Sequence, residues 1–102
     1  MNSLKLKSTA TKLRHILDKY SAFEPVAVVL KAQLQDLLDN AERGGILSDV
    51  EIRDIPGYKV LTETTLQGHS DLSEAYAAFY IELTGGESEA LRVFKLRHKG
   101  HR

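Results

Sequence analysis

The sequence has no cysteine, which excludes a disulfide scaffold, a thiolate metal site and a cysteine nucleophile. Long apolar runs are missing too. Runs such as Val26 to Leu30 fall far short of the ~20 residues that cross a bilayer. The opening Met1-Asn2-Ser3-Leu4-Lys5-Leu6-Lys7 carries bases but not the apolar stretch of a secretory leader. The expectation from these absences is a cytoplasmic protein. Internal repeats, linkers and low-complexity stretches are also wanting. What is present is an ordinary globular composition, 102 residues with 42% hydrophobic and 27% charged. That predicts one domain over residues 1–102, with 97–102 as a loosely ordered basic tail.

A net charge of zero conceals segregation. Residues 1–20 carry a balance of +4, residues 21–90 one of −9, and residues 91–102 one of +5 with no acid at all. Two accounts stay open. Either basic end segments pack against an acidic middle, or the acidic middle is a surface for a basic partner, since opposed potentials steer encounter and fix register.

Hydrophobic periodicity predicts an all-α fold, a compact bundle of about five helices opening with a long antiparallel hairpin. Over Leu4 to Tyr20, the residues Leu6, Ala10, Leu13, Leu17 and Tyr20 recur at three- and four-residue steps, with Ile16 widening the stripe. A second helix begins at Pro25, where a missing N–H costs nothing. Its buried stripe is Val26, Leu30, Leu34, Leu37, Leu38 and Ala41, broadened by Val29, and Gly44-Gly45 stops it. About four residues join the two helices, and a link that short makes them antiparallel neighbours.

Ser48-Asp49-Val50-Glu51 has the spacing of a capping box, with Leu47 and Ile52 placed as a hydrophobic staple, so a short helix is expected from Asp49. Pro56 limits its length. Tyr58 to Leu66 is ambiguous between helix and strand, and helix is favoured over Pro56–Thr64 because a lone strand would leave its hydrogen bonds unmade. Asp71 with Glu74 forms a second box-like start. Leu72, Ala75, Tyr76, Phe79, Tyr80 and Leu83 then follow helical spacing as far as Gly85-Gly86. A last segment, Ser88 to His98, fits helix or strand, and helix is favoured by Glu89, Ala90 and the bases near its C-terminal end.

No constellation for chemistry emerges. His98 and His101 form an H-x-x-H pair in a basic tail with no carboxylate or thiol beside them, and metal sites want several ligands on an ordered frame. Paired acids such as Asp36 with Asp39 read as solvated helix faces rather than general acids. The glycine pairs lack the following Lys and Ser/Thr of a phosphate cradle. The expectation is therefore a protein that is not an enzyme and needs no metal or cofactor. The basic 1–19 and 92–102 segments keep a nucleic-acid-binding or regulatory protein as the alternative, although the −9 middle would repel phosphate.

The order of features is more specific. A hairpin containing Leu17-Asp18-Lys19-Tyr20, Phe23-Glu24 and Lys31-Ala32-Gln33-Leu34-Gln35-Asp36-Leu37-Leu38 precedes Ile55-Pro56-Gly57-Tyr58-Lys59-Val60-Leu61-Thr62-Glu63-Thr64. His69-Ser70-Asp71-Leu72-Ser73-Glu74-Ala75-Tyr76 follows. Over residues 10–83 this resembles the small helical immunity proteins that neutralise the NAD(P)+ glycohydrolase toxin of bacterial type VI secretion. Where that family has acids ending in Asp-Pro-Glu, His69-Ser70-Asp71 stands here. The resemblance implies a non-catalytic protein that forms a heterodimer with a secreted toxin, a nucleotide- or NAD-directed enzyme, and fills its active site. It implies no membrane partner. The residues expected to touch the toxin are Asp49, Glu51, Asp54, Tyr58, Glu63, His69 and Asp71, with Tyr58 as the aromatic anchor.

Overall fold

The computed structural model describes residues 3–46 and 48–85. Helix α1 spans Ser3–Ser21 and α2 spans Pro25–Arg43. Leu6, Ala10, Leu13 and Leu17 lie on one stripe of α1 and are buried, as the spacing predicts. The link is short because α1 is closed off abruptly: the N–H groups of Phe23 and Glu24 both donate to Tyr20 O, at 3.1 and 2.8 Å. Pro25 opens α2 directly. At the other end Gly44 adopts φ +74°, its N–H donating to Ala41 O and that of Gly45 to Asn40 O. This pair of bonds is the Schellman arrangement, which satisfies carbonyls the helix would leave open.

Polar ties between α1 and α2 pair low numbers on one with high numbers on the other. Arg14 Nη2 lies 2.5 Å from Asp39 Oδ1 and 3.0 Å from Glu42 Oε1, Thr11 Oγ1 donates to Glu42 at 3.2 Å, and Lys31 meets Asp18 at 2.5 Å. This is the order of two helices lying side by side in opposite directions. Desolvation alone would pull the Arg14 guanidinium down, but its hydrogen bonds to Glu42 and Asp39 outweigh that and raise it.

The stripe of α2 differs from the expected one. Ala27, Leu30, Leu34, Leu38 and Ala41 are buried, Val26 and Leu37 are half-buried against them, and Val29 is 50% exposed. Val29 therefore does not broaden the core. At 100° per residue it sits about 160° from Ala27 and about 180° from Leu38, and those two face inward.

Beyond Gly45 the chain does not form the helix expected from Asp49. Only a 3₁₀ turn, Ile52–Asp54, appears there. The backbone is drawn elsewhere: Val50 N–H donates to Leu83 O at 2.7 Å, at the far end of the last helix described. A capping box would turn the Glu51 carboxylate back to the Ser48 N–H, but that carboxylate meets Arg53 instead. The expected staple rests partly on Leu47, outside the described residues.

Helix α3, Tyr58–Thr62, occupies the ambiguous region, a 3₁₀ turn follows at Thr65–Gly68, and α4 spans Ser70–Leu83. The described residues thus contain four α-helices and no strand, rather than about five helices. The expected helix Ser88–His98 and the basic tail lie outside them. Leu72, Ala75, Tyr76, Phe79 and Leu83 pack α4 onto the core, which holds no buried polar or charged residue among those described. Ile55, Leu61 and Leu66 insert into the same core from the connecting segment.

Candidate functional site

The geometry around Tyr58 begins with two anchors. Ile55 is buried, and Tyr76 on α4 donates its hydroxyl to Pro56 O at 3.0 Å. Burial pushes the Tyr76 phenol up to about 12, so it stays a donor. Between these anchors Gly57 takes φ +97° and presses against α2: a Cβ there would stand 2.5 Å from Leu30 Cδ1. A chain so pinned leaves Tyr58 little choice of direction. Its side chain is 61% exposed, at the rim of a hollow of about 470 Å³ lined by Gln33, Ile55, Pro56, Gly57, Lys59 and Val60.

The acids of the connecting segment stay in solvent. Asp49, Glu51, Asp54 and Glu63 are exposed. Glu51 meets Arg53 Nη2 at 2.9 Å, a pair open to water on both sides and therefore weak. Asp49 lies over the end of α4, since a Cβ on Gly85 would stand 2.7 Å from its Oδ2.

His69 and Asp71 have different surroundings. They sit at the start of α4, against the end of α1. Asp71 Oδ2 accepts from Lys19 Nζ at 2.8 Å, and its Oδ1 accepts from Tyr20 Oη at 2.8 Å and from Leu72 N at 2.9 Å. The Lys19 and Tyr20 bonds hold the Asp71 carboxyl down at about 2. The same bonds raise the Tyr20 phenol and the Lys19 ammonium above their ordinary values. His69 stacks on the Tyr20 ring, centroids 4.1 Å apart and planes 15° off parallel, and its Nε2 donates to the Glu24 carboxylate.

Asp71 is consequently not the helix cap its spacing suggests. The cap position belongs to His69, which makes no side-chain cap bond. Beginning α4 at Ser70 turns Asp71 towards α1, where two side-chain donors add to one backbone N–H. The basic-end account of the charge pattern is met in part here and at Arg14, because α1 cations pair with acids of the middle segment. Lys7 and Lys12 remain exposed.

The structure therefore divides the seven expected contact residues. His69 and Asp71 share one cluster between the end of α1 and the start of α4, whereas Asp49 lies at the far end of α4, about 18 Å away along the helix. Glu51, Asp54, Tyr58 and Glu63 belong to the segment between. Sequence reasoning missed Gln33, Lys59 and Val60 beside Tyr58, and Lys19, Tyr20 and Glu24 beside His69 and Asp71. Those partners are distant in sequence, and periodicity says only that Tyr20 leans inward.

Among the described residues no group of His, Asp and Glu is gathered as for a metal ion, and no helix is long and apolar enough to cross a membrane. Compared with known protein families, curated proteins and solved structures, the chain has no match.

Proposed function

We propose that the chain is an immunity-type binding protein that seats its Tyr58 face in the active-site cleft of a secreted bacterial toxin acting on NAD or another nucleotide. The observation that carries this reading is Tyr58, an aromatic more than half exposed on a backbone fixed by Ile55, Gly57 and the Tyr76–Pro56 bond. Fixing an anchor before association removes part of the entropic cost of binding, and buried aromatics dominate interface energies. The solvated acids Glu51, Asp54 and Glu63 flank it in sequence. Clefts that hold nucleotide phosphates are commonly basic, so such acids favour encounter and register. His69 and Asp71 support the face indirectly, by fixing α4.

The test is titration of the full chain into the toxin domain encoded beside it while NAD hydrolysis is followed. Activity is expected to vanish at one equivalent, and Tyr58→Ala is expected to weaken inhibition by tenfold or more, a loss typical of a central aromatic. Undiminished hydrolysis at excess chain would refute the reading.

A second reading rests on exposed Lys7 and Lys12, which line a shallow hollow on α1 with His15 and Leu4. A nucleic-acid role for this face requires duplex affinity that falls steeply between low and physiological salt.

A further inference from the structure

We infer that the hollow beside Tyr58 is a subsite for one acidic side chain of the partner, a glutamate or aspartate seated against Lys59. The partner's identity rests on the reading above, whereas the chemistry of the hollow stands to be tested without it. Its floor is apolar, made by Ile55, Pro56 and Val60 with Gly57 pressed onto Leu30. Among the side chains that line it, polar groups come only from Tyr58, Lys59 and Gln33, all exposed. The connecting segment has two permanent cations. Arg53 is paired with Glu51. Lys59 makes no ion pair with any described residue, although Glu63 follows it by one helical turn.

Chemistry narrows the occupant. A purely apolar side chain matches the floor but strips water from Lys59 and Gln33 and leaves both without a partner, which is costly. An arginine or lysine meets a like charge. A phosphate brings more charge than one ammonium offsets, and the acids Asp54 and Glu63 that flank the hollow in sequence repel it. An acidic side chain suits every part. Its methylenes lie on the floor, and its carboxylate accepts from the Lys59 ammonium and the Gln33 amide, the former a charge-assisted bond. The role this gives Lys59 is selection. Asp49, Glu51, Asp54 and Glu63 favour a basic surface, so the unpaired cation among them requires an acid at one point of that surface. A cleft that is basic throughout sets like charges opposite one another there and is rejected.

Two measurements on the full chain test this. In the first, N-acetylglutamate amide and N-acetylglutamine amide, which differ in charge, are titrated while backbone amide resonances are followed at constant ionic strength. The glutamate probe should shift Gln33, Lys59 and Val60 saturably, the glutamine probe should shift them far less, and Lys59→Gln should abolish the difference. Equal responses to the two probes overturn the inference, as do shifts of the same size at Lys7 and Lys12, which would report only a general attraction to cations. In the second, the toxin domain is inhibited by wild type, Lys59→Gln and Lys59→Glu. Reversal should weaken inhibition by tenfold or more, and further than neutralisation does, with helical circular dichroism unchanged. Wild type that inhibits no better than Lys59→Glu overturns the subsite and spares the Tyr58 reading. Wild type that fails to inhibit refutes that reading, and the probe titration then decides the subsite by itself.

Discussion

Helices α1, α2 and α4 and the segment between Gly44 and Ser70 are stabilised in different ways. The three helices present stripes of leucine and alanine that recur every three or four residues, so each contact is backed by the one a turn away. The connecting segment has three core insertions, Ile55, Leu61 and Leu66, spaced without a period. It is held by single bonds, Val50 N–H to Leu83 O and Tyr76 Oη to Pro56 O, and by the close approach of Gly57 to Leu30. Burial is widely shared in the first region, whereas in the second a few atoms set the position of everything near them.

Substitutions can sharpen or break this contrast. The largest effect is expected from Leu34→Ala, which empties a fully buried site under both α1 and Gly57 and should cost about 3 kcal/mol in urea unfolding. Next come two glycines that share a left-handed backbone. Gly57→Ala meets Leu30 at once and should cost about 2–3 kcal/mol from strain and crowding. At Gly44 an added Cβ touches nothing within 4 Å, so Gly44→Ala should cost only about 1 kcal/mol. Equal losses at the two would show that the segment is not wedged against α2, and the contrast would fail.

The smallest effect concerns acid. The Asp71 carboxyl is held down at about 2 against an ordinary 3.8, so its contribution is complete above the ordinary value and is lost as pH falls towards about 2. The group is exposed and screened, so the loss is modest. Stability measured across that window should fall less steeply in Asp71→Asn than in wild type. Identical acid limbs would remove Asp71 from the ties that fix α4.

The same division explains what could be read from the sequence. Periodicity placed α1, α2 and α4 within a residue or two, because repeated burial writes itself into composition. Pro25 and Gly44 marked the ends of α2 through local conformation alone. The irregular segment obeyed no period, so Ser48 to Glu51 suggested a helix start where the chain forms only a 3₁₀ turn and ties Val50 to Leu83, more than thirty residues away. Asp71 misled in the same manner: its spacing is that of a cap, but Lys19 and Tyr20 offered stronger partners. Val29 was expected inside because apolar identity is visible in a sequence and the direction of α1 is not. For the candidate site, Tyr58 and the flanking acids were legible as residues, but the hollow beside Tyr58 needed Gln33 from another helix.

The cluster joining Lys19, Tyr20 and Glu24 to His69 and Asp71 bears on the order of assembly. Its members stand 45 to 52 residues apart in the chain, whereas α1 and α2 meet across a three-residue link. Loops closed over longer stretches cost more entropy before any contact repays it. The first two helices should therefore zip together early, and the seating of α4 on Tyr20 should come late, bringing the Tyr58 rim into its final pose with it.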